Sequence, residues 1–165
     1  MIRQSFIIGV MGGGSASERD IEQAYELGRS IAENGWILLN GGRRAGIMAA
    51  SAQGAAEAGG LTVGILPDDN KRQMADHIQI PILTGMGSAR NCINVLSSDV
   101  VVACPGGAGT ISEIALGLKH GKAVILLNFD PGDIFRAYEQ QNRLFRADSV
   151  ERVISLIQSL LPAGA

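Results

Sequence analysis

The residues best suited to chemistry lie in one run, Pro105-Gly106-Gly107-Ala108-Gly109-Thr110-Ile111-Ser112-Glu113. It follows Val100-Val101-Val102-Ala103-Cys104, a short β-branched stretch with the character of a strand buried on both faces. Pro105 ends the ladder because it has no N–H to donate. Gly106, Gly107 and Gly109 let the backbone turn and approach a ligand with no Cβ in the way. Thr110 opens a predicted helix that runs to about Lys119. The first amides of a helix have no intrahelical partner and stand at the positive end of its dipole. The run therefore predicts a cradle for a phosphate or similar anion. Glu113 has two readings. Thr110-x-x-Glu113 fits a capping box, which needs only local hydrogen bonds. The same carboxylate at the edge of an anion site can accept a ligand N–H or serve as general acid or base.

Three further glycine turns, at 12–14, 41–46 and 85–87, also lie at or near the carboxyl end of a predicted strand. In a parallel sheet all four turns share one rim, where ligands of open α/β sheets bind. Arg43, Arg44 and Arg90 are the cations nearest that rim. Arg90 lies at a helix N-terminus, where the dipole disfavours a cation and an anionic ligand would remove the conflict. Arg43 and Arg44 are adjacent, so only one can face the ligand, and Arg43 is the expected one.

The elements that must position these residues alternate along the chain. Residues 5–10 form a first strand, and Ser17 caps a helix over residues 18–33. Residues 36–39 form a second strand, followed by a helix through 49–58 whose small residues suit a close approach to the sheet. A third strand over 61–66 runs into a polar surface loop at 67–72. Ile78, Ile80 and Ile82 mark a short strand that Pro81 confines to an edge. A helix from about Ala89 to Ser97 carries Arg90 in its first turn. Beyond the central strand and its helix come a strand at 123–127, a helix at 134–140, a short strand at 143–146 and a terminal helix. Asp148-x-x-Glu151 is the expected capping box of that last helix. The pattern predicts an α/β, Rossmann-like, doubly wound and mostly parallel sheet with helices on both faces, as a single domain over residues 1–165.

The totals narrow the function. With 165 residues, 46% hydrophobic and only 4% aromatic, the chain suits a layered α/β core rich in small residues. A net charge of −2 proposes neither a nucleic-acid nor a membrane-surface partner. Cys92 and Cys104 are expected to be buried thiols rather than a disulfide, and with His77 and His120 isolated no metal-ligand cluster is expected. No targeting segment or membrane span is visible, so a cytoplasmic location is expected. The dinucleotide fingerprint G-x-G-x-x-G is not met: after Gly12-Gly13-Gly14 its third glycine would fall at Ala16 or Ser17. Asn40 stands where a ribose-binding acid would end the second strand. An NAD site is rejected on those grounds.

Residues 105–113 match PGGxGTxxE. Together with GGRRAGIM at 41–48 they resemble the LOG-type superfamily, once labelled lysine decarboxylases. That resemblance implies a Rossmann-like fold, commonly dimeric, and nucleoside 5′-monophosphate phosphoribohydrolase activity with Arg90 and Glu113 as the catalytic pair. Over nearly its whole length the chain is similar to the molybdenum-cofactor carrier proteins of that superfamily, through IIGVMG (7–12), GWILLNGGR (35–43), TGMGSARNCIN (84–94) and LSSDVVVA (96–103). It departs from the hydrolase pattern at Asn91, where a lysine usually follows the arginine, and at Leu116, where an acid often stands. The carrier resemblance implies a homo-oligomer that binds the molybdenum cofactor (molybdopterin) as a ligand, without catalysis and without a protein-ligated metal. It implies storage of that ligand for delivery, with molybdoenzymes as recipients. Gly106, Gly107, Ala108, Gly109 and Thr110 would then hold the phosphate. Gly42, Arg43, Ser88 and Arg90 would complete the anion pocket, with Gly12 and Gly13 as its far wall. The alternative is a LOG-type hydrolase in which Arg90 orients the ribose phosphate and Glu113 assists cleavage of the N-glycosidic bond.

Overall fold

The computed structural model describes residues 5–162. Strands β1 (Ile7–Met11), β2 (Ile37–Asn40) and β3 (Thr62–Leu66) alternate with helices α1 (Glu18–Glu33) and α2 (Gly46–Glu57). Next come β4 (Ile80–Leu83), a 3-10 turn over Gly87–Arg90 that runs into α3 (Asn91–Leu96), β5 (Val100–Ala103) and α4 (Ala108–Lys119). The chain continues through β6 (Ala123–Leu127), a 3-10 turn over Asp133–Phe135, α5 (Arg136–Gln140), β7 (Leu144–Ala147) and α6 (Val150–Leu160). The strands form one parallel sheet in the order β4-β3-β2-β1-β5-β6-β7. This is the Rossmann-like architecture expected from the alternation. Its strand order reverses between β1 and β5, so their carboxyl ends flank the crevice where such sheets bind ligands.

The period-2 alternation of each strand sends neighbouring side chains to opposite faces. Val100 and Val102 of β5 join a core under α1, α2 and α6, while Val101 and Ala103 join a second core under α3 and α4. β4 lies at the edge, as Pro81 requires, and Ile80, Ile82 and Leu83 remain partly exposed there. Ser17 caps α1 through a full capping box with Asp20. No helix among the described residues is long and apolar enough to cross a membrane.

Four local expectations are corrected. α4 begins at Ala108 with Gly107 as its N-cap, so Thr110 is its third residue and Thr110-x-x-Glu113 is not a capping box. A glycine in extended conformation (φ −95°, ψ −151°) starts the helix without a side-chain bond, so the hydroxyl at 110 is not needed for capping. At α6 the cap is Ser149, not Asp148; its Oγ accepts from the Arg152 N–H at 3.3 Å. Arg90 closes the 3-10 turn and precedes α3, instead of lying inside the first turn of a longer helix. The helix expected over 134–140 divides at Phe135 into a 3-10 turn and α5.

The small residues of α2 serve its contact with α1. A Cβ added at Gly28 would overlap the Ser51 carbonyl, and one at Gly54 would overlap the Tyr25 carbonyl. The obstacle in each case is backbone, which cannot rotate away as a side chain can. Gly28→Ala should therefore lower stability by about 1–3 kcal/mol, despite the better helix propensity of alanine. Chemical denaturation at constant m-value checks this, and a neutral or stabilising outcome would show that the two helices can separate freely.

Candidate functional site

The two loops that end β1 and β5 are joined by backbone. The Gly13 N–H donates to the Pro105 carbonyl at 2.9 Å, and the Ile47 N–H of α2 donates to the Gly13 carbonyl at 3.0 Å. Two glycines are demanded by these contacts. A Cβ at Gly106 would strike the Thr110 hydroxyl and the Gly13 nitrogen. Gly46 has φ +49°, and a Cβ there would strike the Gly13 carbonyl. Between the loops lies a cleft of about 220 Å³. Gly12, Gly13 and Gly14 form one wall, Gly107, Gly109 and Thr110 another, and Gly41, Met48, Arg90, Asn91 and Glu113 close it.

At the α4 wall, the first intrahelical bond runs from the Ile111 N–H to the Gly107 carbonyl at 3.1 Å. The N–H groups of Ala108, Gly109 and Thr110 precede it and have no acceptor within the helix. Arg90, only 9% exposed, lines the same cleft. Its guanidinium rests against Gly41, where any Cβ would displace it. Among the described residues Arg90 forms no ion pair within 4 Å, and its buried Nε has no hydrogen-bond partner. Burial pulls its pKa down, opposed by the charge of Glu113. A buried cation without an acceptor is costly to keep, and an anion in the cleft would offset that cost.

Glu113 is the second buried ionisable group, 7% exposed. Burial pushes its carboxyl up to about 6, against the opposing pull of a hydrogen bond from Asn94 and the charge of Arg90. Asn94 Nδ2 donates to Glu113 Oε1 at 2.9 Å, while Ser98 Oγ donates to the Asn94 carbonyl at 2.7 Å. Asn94 Oδ1 is buried without a partner. Glu113 is thus a carboxyl poised between acid and base and held from α3, not a helix cap. Chemically, the arrangement can bind an oxyanion and can exchange one proton beside it.

The remaining residues singled out in the sequence, Gly42, Arg43, Arg44, Ser88, Gly106 and Ala108, do not line this cleft. Gly106 packs behind its wall. Gly42, at φ +72°, turns the chain after β2, where its N–H donates to Asn40 Oδ1 at 2.8 Å. Arg43 pairs with Asp68 at 3.2 Å, and Arg44 pairs with Asp76 at 2.7 Å. Ser88 and Ala108 line an adjoining hollow of about 560 Å³ with Cys92, Ser112 and Leu116; Asn91 and Gly109 border both spaces. Gly41, Met48 and Asn94 were not singled out. Gly41 and Met48 belong to the GGRRAGIM turn, whereas nothing local to Asn94 connects it to a carboxyl 19 residues away. Among the described residues no three His, Cys, Asp or Glu side chains gather as a metal site.

Comparison with known proteins places the chain. The family model described as the SLOG cluster4 family matches residues 5–154. The chain belongs to the SLOG cluster4 family. The molybdenum cofactor binding protein of Rippkaea orientalis has a similar structure, with a TM-score of 0.91 and 50% identity over 96% of this chain and 99% of that one. The molybdenum cofactor carrier protein of Chlamydomonas reinhardtii superposes with a TM-score of 0.87 and 43% identity, over 95% and 98% of the two chains. A cytokinin riboside 5′-monophosphate phosphoribohydrolase of Mycobacterium tuberculosis is 38% identical over 57% of this chain. The chain spans about half of that hydrolase's length, 51%.

The raised Glu113 pKa sets a pH test. A carboxyl whose folded pKa lies above its ordinary 4.5 stabilises the fold below that value and loses the contribution as pH climbs through about 6. Measured against Glu113→Gln, wild-type stability should fall by about 2 kcal/mol between pH 4 and pH 7. Parallel stability curves for the two proteins would place Glu113 in contact with water.

Proposed function

We propose that this SLOG cluster4 protein binds the molybdenum cofactor and holds it for delivery, with the ligand's phosphate in the cleft between β1 and β5. The observation that carries the reading is the buried Arg90 guanidinium, without an acceptor, in the same cleft as the free amides at the start of α4. A phosphate supplies the acceptors that both lack. Gly12 and Gly13 bound the phosphate, and Gly107, Ala108, Gly109 and Thr110 offer it backbone donors while Gly106 lets the loop close. The adjoining hollow with Ser88 takes the part of the ligand beyond the phosphate, and the turn at Gly42 carries Arg43, which acts on Arg90 by charge. The choice of ligand is supported by two proteins named for binding or carrying this cofactor, each similar over nearly its full length. The molybdenum is cargo on this reading, held through the organic ligand and not by protein side chains. A homo-oligomer in the cytoplasm, with molybdoenzymes as recipients, completes the proposal.

One observation favours a second reading. Glu113 is a buried carboxyl raised to about 6 beside Arg90, which suits a general acid or base in N-glycosidic cleavage of a nucleoside 5′-monophosphate. The Mycobacterium tuberculosis phosphoribohydrolase is similar to this chain over 51% of its own length.

Two measurements separate the readings. Arg90→Ala should weaken phosphate-ester binding by about 1.5–3 kcal/mol, the range for hydrogen bonds to a charged group, as read by calorimetric titration. Unchanged affinity removes Arg90 from the site. Incubation with AMP should release no adenine, while free molybdenum cofactor should be protected from oxidation. Adenine release that Glu113→Ala abolishes would replace the carrier with the hydrolase.

A further inference from the structure

Arg43 follows Gly41, which lines the anion cleft, by two residues and acts on Arg90 by charge, yet its own guanidinium is engaged elsewhere. Its Nη2 donates to both carboxylate oxygens of Asp68, at 3.2 and 3.3 Å. The two side chains are 43% and 31% exposed, so the pair contributes little to stability and exchanges at small cost. Arg43 Nε is buried and has no acceptor, so Asp68 satisfies only part of the guanidinium.

Both partners are held in place by backbone. On the Arg43 side, residues 42–44 are bridged to 73–75 through the Arg44 N–H to the Gln73 carbonyl at 2.8 Å and the Ala75 N–H to the Gly42 carbonyl at 2.9 Å. On the other side, the Asp68 carbonyl accepts from the Gly85 N–H at 3.2 Å, and the Pro67 carbonyl accepts from the Gly87 N–H at 2.9 Å. Asp68 is therefore fixed between the turn that carries Arg43 and the turn that carries Arg90. After burial and Glu113, the charges of Arg43 and Asp68 are the next influences on Arg90, with opposite signs. All three belong to one electrostatic neighbourhood.

Resting on the anion-cleft reading above, we propose that Asp68 is an internal counter-ion that sets which anions the cleft prefers, occupying Arg43 until a ligand with a second anionic group displaces it. A ligand with a single phosphate meets Arg90 and the α4 amides and leaves the Arg43–Asp68 pair intact. A ligand with a second negative group competes with Asp68 for Arg43 and also supplies the acceptor that Nε lacks. The preferred class is a phosphorylated molecule bearing further negative charge, and the carboxylate discriminates by repelling it unless Arg43 is released.

Calorimetric titration with inorganic phosphate and with pyrophosphate tests this. Asp68→Asn should raise pyrophosphate affinity at least about fivefold, the equivalent of about 1 kcal/mol, and change phosphate affinity less than about twofold. Adding Arg43→Gln to Asp68→Asn should remove the gain. Asp69→Asn removes the same charge one residue away, from a side chain bonded to Asn70 and not to Arg43, and should produce no gain. Equal gains for both anions, a gain from Asp69→Asn, or no gain from Asp68→Asn overturns the proposal while the anion cleft stands. Absence of binding by either anion to the wild-type protein overturns the cleft reading and the proposal together.

Discussion

The site depends on the backbone hydrogen bond from Gly13 to Pro105, which fastens the loop after β1 to the loop after β5. It forms where the strand order reverses and two carboxyl ends diverge to opposite sides of the sheet. The join leaves no room for side chains at Gly106 or Gly46, and it sets the amides of α4 along one wall of the cleft. Glycine at these positions is thus a packing requirement before it is a ligand requirement. The same tightness that closes the loops holds the donors still, so an incoming anion meets groups already in position.

Against that rigid wall the charged groups are left partly unresolved. Arg90 is buried with no acceptor, and Glu113 is buried with a pKa moved towards neutrality. Neither arrangement adds stability by itself. Each becomes reasonable if the cleft is built for a partner that brings negative charge, so that stability given up in the free protein returns as affinity. Glu113 moderates the field of Arg90, and its proton state couples the cleft to pH. Asn94 reaches it from the α3 side, with the Ser98 hydroxyl on the Asn94 carbonyl, which makes the carboxyl's environment a property of the packing between α3 and α4.

Much of this was legible in the sequence because the signals are local. Ser17 with Asp20, Pro81 at an edge and the glycine stops at 35, 59 and 121 after α1, α2 and α4 state their structure within a few residues. The alternation of strands and helices, read with the rule for open sheets, put the glycine turns on one rim. The misreadings are also informative. Thr110-x-x-Glu113 has the spacing of a capping box, but Gly107 is the N-cap of α4, three residues before Thr110, and that offset makes Glu113 a buried carboxyl inside the helix instead of a cap. Arg43 is paired with Asp68, 25 residues away, a contact that the glycine turn around it does not announce. Asn94 and Glu113 meet across two helices. Such pairings are set by how elements pack, and no short-range pattern encodes them.

A crystal structure of the protein with molybdenum cofactor bound tests the central claim most directly. The account predicts the ligand's phosphate within hydrogen-bond distance of the Ala108, Gly109 and Thr110 amides, with the Arg90 guanidinium as its counter-charge. A phosphate bound away from the β1–β5 crevice, with Arg90 still lacking an acceptor, would contradict it.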